Sequence, residues 1–510
     1  MRVLLINPLS QPSYWENDIA AKWPPLGLCY LAAVLEKEGH QVKILERRLL
    51  SGVRKRTPEQ LAWVDKQMLK ELAEFRPELV GITATTPLIM DAYATAKAIK
   101  GLDSSIKIII GGPHPTAEPE LCLEECPAVD IVCKGEGELT MLDLADKKPL
   151  AEIEGIFHRQ GKEIKATPAR AVWPNLDELP YPAYHLLDKD FYFKPTSVLI
   201  RGFHLVGTTI LAARGCPFTC KFCQSSQIVR SNKGRFLRFH SPQYVVGNIK
   251  YLIDNFGVEG ILFAEDIFSI DRDNMIKICR LLIEEGLNKK IKFAINLRVD
   301  TIDQELLKLF RQAGCVRAVY GHESGSDRVL GLMNKRTSRA QNLASVQMTK
   351  AAGITCESSI LVGLPGEKKE DFLQTISFLK TAKPDRVIRS KFFPIPGSVF
   401  YDELLRQKKI TKPKDWNELS DKYTLNDFTF AQMTPLEFRR LYAKMDREAT
   451  LPINYCFAIK TNLRRHPLVA LRNLLLMIIH RAILYLPLRV QDVVKKTAFL
   501  LRIKSKFVFR

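Results

Sequence analysis

Residues 214–224 of this chain read Arg-Gly-Cys-Pro-Phe-Thr-Cys-Lys-Phe-Cys-Gln. This stretch places Cys216, Cys220 and Cys223 in one short loop with the spacing C-x3-C-x2-C. Thiolates are the soft ligands of iron–sulfur clusters, and three of them leave one iron of a four-iron cubane open to another ligand. A structural zinc site usually needs four ligands, and the sequence contains no second C-x2-C pair. The loop therefore predicts a 4Fe-4S cluster with an open iron; a zinc site and ordinary buried cysteines are the alternatives.

Length and composition indicate a globular protein of two or three domains. The chain has 510 residues, of which 46% are hydrophobic and 26% charged, as is typical of folded proteins. Residues 1–7 have the pattern of a strand and not of a secretory leader. The eleven cysteines are irregularly spaced and do not form a disulfide framework; Cys122, Cys126 and Cys133 are expected to be small buried residues. We expect a cytoplasmic protein, since a reducing cytosol suits free thiols and an oxygen-sensitive cluster.

The positive charge is concentrated at the C-terminal end. Residues 461–510 contain eleven Lys or Arg and one acid, Asp492, a net charge of +10 out of +20 for the whole chain. The rest of the chain is mildly basic, which argues against a nucleic-acid groove spread over the other domains. This asymmetry predicts a basic, mainly helical attachment region at residues 411–510.

Residues 1–145 alternate strand-like and helical patterns. The predicted elements are Val3–Ile6, Leu26–Glu38, Gln41–Leu45, Gln60–Glu74, Leu79–Thr83, Met90–Lys100, Ile106–Ile110 and Ile131–Cys133. Their order predicts a doubly wound parallel sheet of the flavodoxin-like type, with helices on both faces. Ligands of such sheets bind outside the carboxyl ends of the strands, which is where the glycine- and proline-containing turns of this domain lie.

Residues 206–410 repeat the order of strand and helix six times. The predicted strands are Thr208–Ala212, Gly260–Phe263, Lys292–Ile295, Ala318–Gly321, Glu357–Leu361 and Arg386–Phe393. Six such units predict a (β/α)6 partial TIM barrel, whose active residues lie on loops at the carboxyl ends of the strands. The cysteine loop follows the first of these strands, as that rule requires. Residues 146–205, between the two domains, are predicted to be a bridge with a short hairpin and a proline-rich linker.

The cysteine spacing, Phe222 before the third cysteine and the preceding run 209–213 resemble the radical S-adenosylmethionine (SAM) family. The resemblance implies that the open iron binds the amino and carboxylate groups of SAM. An electron from the cluster then cleaves SAM to methionine and a 5′-deoxyadenosyl radical, which takes a hydrogen atom from the substrate. In such enzymes the cofactor carries out the difficult chemistry, and the protein positions the substrate and excludes competing reactions.

The same resemblance assigns SAM contacts to further strand ends of the barrel. It implies that Glu265 and Asp266 face the amino group, Arg298 the carboxylate and Glu323 the ribose hydroxyls. The other implied contacts are Phe222, Ser324, Gly363, Pro365 and Gly366. Helix capping is the alternative for Asp266, and a structural ion pair is the alternative for Arg298. His322 is expected either to face substrate or to be a hydrogen-bonded barrel histidine.

The turns of the first domain, taken together, resemble the cobalamin-binding domain that precedes many radical SAM cores. The implied cobalamin contacts are Pro8, Pro25, Leu26, Gly27, Thr85, Gly111, Gly112, Pro113, His114, Gly135, Glu136, Gly137 and Glu138. The D-x-H-x-x-G motif, which supplies a histidine to cobalt in other cobalamin proteins, is absent, and neither His40 nor His114 fits it. The radical SAM branch usually lacks this histidine, and a domain that has lost cobalamin would lack it too.

The C-terminal region contains a strongly apolar stretch, 467–488, and then a mixed basic and apolar stretch, 493–510. Arg472, His480 and Arg481 interrupt the first stretch, so no part of it is long enough without charge to span a bilayer. Basic residues interleaved with large apolar ones suit an anionic membrane surface. A helical cap on the barrel and an RNA-binding tail are the alternatives. The membrane interpretation implies a lipophilic small-molecule substrate.

These resemblances imply a cobalamin-dependent radical SAM enzyme that methylates an unactivated carbon, a methyltransferase of class B. Similar architectures occur in hopanoid methylases and in anaerobic Mg-protoporphyrin ester cyclases. The alternative within the family is therefore a non-methylating reaction, such as the oxidative ring closure of a tetrapyrrole ester. The alternative from another class is a non-catalytic cluster or cobalamin sensor. The implied electron donor is a flavodoxin or ferredoxin.

Overall fold

The computed structural model describes residues 1–9, 23–51, 57–197, 199–225, 234, 236–420, 428–463 and 467–486. Within these residues the chain forms two large sheets, a two-stranded ribbon and a set of C-terminal helices. This architecture confirms the α/β class that the sequence predicts, with a doubly wound domain followed by a partial barrel.

The first sheet belongs to the N-terminal domain. Its strands are β1 (Arg2–Asn7), β2 (Gln41–Glu46), β3 (Leu79–Thr83), β4 (Lys107–Gly111), β5 (Ile131–Cys133), β6 (Ile156–Gln160) and β7 (Glu163–Ala166). They lie in the order β2-β1-β3-β4-β5-β6-β7. Strands β1 to β5 pair in parallel, whereas β6 and β7 are antiparallel.

Helices cover both faces of this sheet. They are α1 (Leu26–Lys37), α2 (Arg47–Ser51), α3 (Pro58–Phe75), α4 (Ile89–Leu102), α5 (Pro113–Ala117), α6 (Pro119–Glu125) and α7 (Glu138–Ala145). Successive residues of a strand point to opposite faces, so Val3 and Leu5 pack in one core cluster with α1. Leu4 and Ile6 pack in a second cluster with α3 and α4. The apolar run of β1 is therefore buried on both sides, as is typical of a parallel strand.

The hairpin predicted within residues 146–205 forms, but it lies in the first sheet and not in a linker. Strand β6 pairs antiparallel with β5, from Ile131 opposite His158 to Cys133 opposite Ile156. Without this pairing β5 would be the edge of the sheet, with a row of unpaired backbone groups. Strand β6 covers that edge and β7 pairs with β6, so the sheet continues to Ala166, beyond the domain boundary expected at residue 145.

The second sheet is the partial barrel. Its strands are β8 (Gly207–Ile210), β11 (Gly260–Phe263), β12 (Lys292–Leu297), β13 (Cys315–Glu323), β14 (Thr355–Val362) and β15 (Arg386–Lys391). All six are parallel, in the order β15-β14-β13-β12-β11-β8. A short ribbon, β9 (Ala213–Arg214) with β10 (Arg238–Phe239), lies between the first two barrel strands along the chain.

Each barrel strand after the first is preceded by a helical segment. The helices of this part are α8 (Lys189–Tyr192), α9 (Pro242–Phe256), α10 (Arg272–Glu284), α11 (Leu287–Lys290), α12 (Gln304–Gln312), α13 (Asp327–Leu332), α14 (Arg339–Ala351), α15 (Lys369–Ala382) and α16 (Val399–Arg406). Side-chain caps fix several of their starts: Ser241, Asp271 and Asp303 accept a hydrogen bond from a backbone N–H of the first turn, as N-cap residues do.

The barrel strands have one buried face and one partly open face. His322 of β13 hydrogen-bonds Ser358 of β14 and Ser345 of α14, so these strand residues face the surrounding helices. Val319, Ser359 and Ile388 occupy the alternate positions and are partly exposed. The alternate positions therefore face the inside of the partial barrel, which we call the lumen.

The carboxyl ends of the two sheets meet. The side-chain amide of Gln224, directly after the cysteine loop, donates to the carbonyl oxygen of Pro113 at 3.0 Å. Pro113 opens α5 at the carboxyl end of β4. The second core cluster of the first domain also includes Leu364 and Phe392 from the barrel. The turns of one domain and the cysteine loop of the other therefore face the same space.

The C-terminal region is helical, as predicted. It contains α17 (Asn417–Ser420), α18 (Pro435–Met445), a π-helical turn (Asp446–Thr450), α19 (Leu451–Leu463) and α20 (Pro467–Tyr485). None of the helices in the described residues is long and apolar enough to cross a bilayer. The basic stretch 493–510 lies outside the described residues.

Candidate functional site at the facing ends of the two sheets

The cysteine loop follows β8 and is held by backbone contacts from distant parts of the barrel. Lys221 N–H donates to Met333 O at 2.9 Å, and Phe400 N–H donates to Lys221 O at 2.9 Å. Gly215 has φ +95°, and a Cβ there would lie 2.2 Å from Phe236 O. Only glycine fits at this position, where the chain enters the loop. The close backbone contact at Gly215 and the two hydrogen bonds of Lys221 therefore fix the position of the loop.

The three thiols share one loop and influence one another. Cys220 is buried, and Cys216 and Cys223 are half-buried. Burial, together with the Asp266 carboxylate and the neighbouring thiols, raises the pKa of Cys216 to about 11. Burial likewise raises the pKa of Cys223. Thiolates gathered in this way need positive charge, which a bound iron cluster provides, so the donor set fits the predicted cofactor.

Among the described residues there is no preassembled ion site, and a cationic side chain lies beside the cysteine loop. In the part of the chain that the structure describes, no three His, Cys, Asp or Glu side chains converge as the ligands of one ion would. Arg298 stands beside the loop, with Nη1 at 4.0 Å from Cys220 Sγ and its guanidinium 3.7 Å from the centre of the Phe218 ring. The loop therefore has a cationic neighbour but no fourth protein ligand among these residues.

Glu265 follows β11 and carries an unsatisfied acceptor. Its side chain is buried, Oε2 accepts a hydrogen bond from Ala212 N–H at 3.3 Å, and Oε1 has no partner. Burial raises the pKa of Glu265 to about 8. An orphaned buried oxygen at the carboxyl end of a barrel strand fits a ligand that donates a hydrogen bond, such as the amino group of SAM. Asp266 beside it is exposed and accepts from Ser225 Oγ at 3.4 Å.

Arg298 and Glu323 are both engaged within the protein. Arg298 Nε pairs with Asp300 at 2.7 Å, and its Nη2 donates to Lys335 O. The ion pair that was the alternative for Arg298 is therefore present. Glu323, at φ +61°, pairs with Lys335 Nζ at 3.3 Å. Lys335 Nζ also lies 5.8 Å from the centre of the Phe222 ring, which links Phe222 to the same group.

Sequence reasoning missed Lys335. It is buried, although a lysine at the end of a short helix usually points to solvent. Its neighbours Asn334 and Arg336 both have positive φ, at 54° and 56°, and this double left-handed turn directs the chain so that Lys335 faces Glu323. Asn334, a residue type that tolerates this conformation, was the only local signal.

The Ser324 and His322 side chains both hydrogen-bond within the protein. The Ser324 hydroxyl is fully buried, hydrogen-bonds Thr375 Oγ1 at 3.1 Å and accepts from Ser326 N–H. Both nitrogens of His322 hydrogen-bond serine hydroxyls, and burial lowers the pKa of His322 to about 3. Of the two interpretations of His322, the hydrogen-bonded barrel histidine is the one that the structure supports.

The turn at residues 363–366, which is predicted to contact SAM, is held by hydrogen bonds within the protein. Gly363 and Gly366 have φ +88° and +83°, and Pro365 lies between them, partly exposed. The Glu367 carboxylate accepts from Leu364 N–H at 3.2 Å and from Gly363 N–H at 2.5 Å. Burial raises the pKa of Glu367 to about 8. These bonds hold the backbone of the turn at the end of β14.

The carboxyl edge of the first sheet presents backbone. Gly112 has φ +110°, and a Cβ there would lie 2.9 Å from Ala84 O, whereas Gly27 is open. The predicted contacts vary in exposure: Gly27 and Thr85 are exposed, Pro8, His114 and Glu138 are buried, and Pro25, Leu26, Gly111, Gly112, Pro113, Gly135, Glu136 and Gly137 are intermediate. Turns without large side chains leave room for a flat ring against the strand ends, which fits cobalamin.

His114 does not extend into that space. Its side chain is fully buried, Nδ1 hydrogen-bonds Thr86 Oγ1 at 3.1 Å, and its ring lies 4.5 Å from that of Trp416. Burial and then Lys412 lower the pKa of His114 to about 3. Only the backbone of this residue can serve the predicted contact, and its side chain instead joins the first domain to the C-terminal region.

Glu136 and Glu138 join the two domains through ion pairs. Arg214, two residues before the first cluster cysteine, pairs with Glu138 at 2.7 Å and with Glu136 at 3.4 Å. Arg238 of β10 also pairs with Glu136. We call these four residues the interdomain clasp. Local sequence patterns do not predict this clasp, because its partners lie 76 to 102 positions apart along the chain.

Comparison with known proteins agrees with this geometry. The model for the B12 binding domain matches residues 17–145, and the model for the radical SAM superfamily matches residues 210–379. An uncharacterized methyltransferase of Pyrococcus horikoshii is 31% identical over 448 residues, 87% of this chain and 92% of the relative. An anaerobic magnesium-protoporphyrin IX monomethyl ester cyclase of Rubrivivax gelatinosus is 31% identical over 420 residues, 79% of this chain and 70% of the relative.

Solved structures share the fold. The radical SAM methyltransferase TsrM of Kitasatospora setae aligns with a TM-score of 0.63 at 17% identity, over 80% of this chain and 76% of that one. The cobalamin-dependent radical SAM enzyme OxsB also aligns at 0.63, with 19% identity, over 98% of this chain and 75% of that one.

A parallel partial barrel with three cysteines after its first strand defines a radical SAM enzyme. With a B12-binding domain in front of the barrel, this chain belongs to the cobalamin-binding radical SAM family. Its cofactors are a 4Fe-4S cluster, SAM and cobalamin. The assignment of individual residues to SAM and to cobalamin stays a prediction.

Proposed function

We propose that this enzyme methylates an unactivated carbon of a small, lipophilic molecule. The observation that carries the proposal is the meeting of the two strand ends, where Gln224 beside the cysteine loop bonds Pro113 of the first domain at 3.0 Å. When bound, the cluster and SAM supply removal of a hydrogen atom from the substrate, and methylated cobalamin supplies the methyl group. A substrate between the two edges can reach both.

The protein's own side chains position the bound molecules and shield the reaction from water. Glu265 Oε1 offers a buried acceptor, and the pair of Glu323 and Lys335 offers a carboxylate and an ammonium at the mouth of the lumen. The lumen wall above its floor, at Val319, Ser359 and Ile388, is uncharged. Such a wall suits a lipophilic substrate and keeps water away from a reactive intermediate.

The test uses anaerobically reconstituted, cobalamin-loaded, reduced enzyme with methyl-labelled SAM. The proposal predicts 5′-deoxyadenosine and label in the cobalamin methyl group, and then in a product when lipid extract is added. Deoxyadenosine without label in cobalamin or in any product would contradict methylation. No deoxyadenosine at all would favour a non-catalytic sensor.

Oxidative ring closure of a tetrapyrrole ester is the second candidate. The observation that favours it is the 31% identity to the Rubrivivax gelatinosus cyclase. This reaction predicts deoxyadenosine and a substrate that loses hydrogen but gains no labelled methyl group. Incubation with Mg-protoporphyrin monomethyl ester under the same conditions separates the two candidates.

We also propose that the enzyme works in the cytoplasm, takes electrons from a flavodoxin or ferredoxin, and touches an anionic membrane surface through α20. One face of α20 is exposed and apolar, with Leu468 at 81%, Leu471 at 63%, Leu475 at 58% and Ile478 at 56% exposure. The spacing of three and four residues places these side chains on one side of the helix. The net charge of +10 over residues 461–510 favours acidic lipid over a neutral surface.

Vesicle flotation tests this contact. Binding to phosphatidylglycerol vesicles, weaker at high salt and absent with phosphatidylcholine, is the expected result. The double variant L471E/L475E should lose binding, whereas L102E, at an exposed leucine of the first domain, should keep it. Equal binding of the double variant and the wild type would remove α20 from the contact.

A further inference from the structure

The floor of the barrel lumen carries a buried group of charges that the proposed chemistry does not use. Arg317 of β13, Glu357 of β14 and Arg386 of β15 lie on three adjacent strands. Arg386 Nη1 pairs with Glu357 Oε2 at 2.9 Å, and Arg317 Nη1 lies 3.8 Å from Glu357 Oε1. All three side chains are at least nine-tenths buried, with 9%, 1% and 9% exposure.

These side chains face the lumen and not the surrounding helices. Ser358, next to Glu357, bonds His322 on the helix side. Alternation along a strand therefore places Glu357 on the opposite side with Ser359, which is partly exposed in the lumen. Arg317 and Arg386 contact Glu357 and share its side. Below them the amino end of the barrel is closed by an apolar cluster of Leu199, Ile200, Leu262, Ala294 and Val316.

Positive charge exceeds negative charge in this group. Arg201 also interacts with Glu357, and burial followed by the nearby Arg386 lowers the pKa of Arg201 to about 9. Burial acts to raise the pKa of the Glu357 carboxyl, but the three guanidinium groups more than offset it and hold that pKa below its usual range. Within this set of four side chains, the Glu357 carboxylate interacts with three guanidinium groups, and Arg201 and Arg386 have further interactions besides.

Arg317 has the weakest partner. Its contact with Glu357 is longer than a hydrogen bond, and its buried Nε has no partner. A buried guanidinium with unused donors is costly unless a ligand satisfies it. Its planar fork matches a carboxylate or a phosphate.

We propose that Arg317 and Arg386 form an anion site at the floor of the lumen, which binds a carboxylate or phosphate group of an elongated substrate. Five residues of β13 lie between Arg317 and Glu323 at the mouth, and these six steps along the chain span about 20 Å at the rise of a strand. The wall between them is uncharged at Val319, Ser359 and Ile388. The substrate class is therefore an amphiphile, with an anionic end at the floor and its reacting carbon near the mouth.

Binding of matched ten-carbon probes to the full, anaerobically reconstituted chain tests the site. Titration calorimetry without reductant compares decanoate, decyl phosphate and 1-decanol. At least one anion should bind about tenfold more tightly than the alcohol, as one charge-assisted pair predicts. The tighter anion identifies the group. Equal affinity for all three probes would overturn the proposal.

Variants separate an anion site from a structural ion-pair group. R317M leaves Glu357 paired with Arg386 and should abolish the preference for anions. E357Q removes the competing carboxylate and should strengthen anion binding. R272M, which removes an exposed arginine paired with Asp303, is the control for net charge. It should change neither the preference for anions nor the affinity for them. Unchanged selectivity in both R317M and E357Q would overturn the site even with a selective wild type.

The inference rests on the proposed function, because the lumen is the substrate space of that reaction. The anion site and the proposed methyl transfer can be refuted independently of each other. Binding is measured without reduction, so a missing anion preference leaves the labelled-methyl result untouched. A missing methyl transfer likewise leaves an anion preference intact.

Discussion

The two facing strand ends present different chemistry. At the barrel edge the candidate groups are side chains: the three thiols, the unpartnered Glu265 carboxyl, and the pair of Glu323 and Lys335. At the edge of the first sheet the candidate groups are backbone turns, such as the one at Gly112. The charged side chains of Glu136 and Glu138 at that edge form ion pairs within the protein. Glu138 joins the interdomain clasp.

The difference reflects what each edge has to hold. A cluster and a small charged ligand need donors and acceptors of defined type, which only side chains supply. A large flat ring needs space and a smooth surface, which glycine turns supply. Four substitutions test this division, in descending order of expected effect.

The largest effect is expected from C220A. Loss of one of three thiolates should abolish the visible absorption of the cluster and all formation of 5′-deoxyadenosine, because the cluster then has too few ligands. C456A, at an exposed cysteine in α19, is the matched control and should retain both. A C220A protein that still cleaves SAM would show that the barrel edge does not act through these thiols.

R214M tests whether charged residues at the first edge hold the domains together. It leaves the buried Glu138 carboxylate without its partner, and we expect a loss of about 3 kcal/mol in the free energy of unfolding. R272M removes an exposed pair and should cost less than about 1 kcal/mol. Thermal unfolding measures both; equal stability of the two variants would argue against the clasp.

G112A tests the backbone role of the first edge. The added Cβ meets Ala84 O at 2.9 Å in a residue with positive φ, so we expect a loss of about 2 kcal/mol and less cobalamin in the purified protein. G101A is the control, because a Cβ there meets nothing within 4 Å. Equal cobalamin content in the two variants would place the ring elsewhere.

The last effect is a pH dependence from Glu265, which is the smallest of the four when it is taken over a single pH unit. Its pKa is about 8 in the folded protein and ordinarily 4.5, so the unfolded chain releases this proton first as pH rises. Stability should therefore fall between about pH 5 and 8, by at most about 1.4 kcal/mol per pH unit. E265Q should lack this fall, and Glu367, with a similar pKa, cancels in the comparison. Parallel stability curves for the two proteins would refute the buried, protonated carboxyl.

The two edges differ in how much of their arrangement can be predicted from local sequence. Cysteine spacing is a local property, and the loop at 216–223 needed no knowledge of distant residues. The turns that contain His114 and Glu136 are predicted, by resemblance, to contact cobalamin. The side chains of these two residues contact Trp416 and Arg238, which are far away in the sequence. A side chain's direction depends on those partners, and periodicity does not report them.

The bridge at residues 146–205 shows the same limit. Its hairpin was predicted from a local turn at Gly161, but its place in the first sheet follows from the free edge of β5. Local sequence did not predict the burial of Lys335, because lysine is usually exposed. One residue with a left-handed backbone on each side of it, Asn334 and Arg336, directs its side chain inward.

Strand–helix order and ligand spacing are local properties of a chain, so the two α/β domains, the cluster loop and the cofactor family could be predicted from the sequence. The tertiary structure was needed to show which strand ends face each other, which charged residues join the domains, and which arginines line the floor of the lumen. Those features depend on contacts between residues far apart in the chain, and they exist only once the strands have been placed side by side.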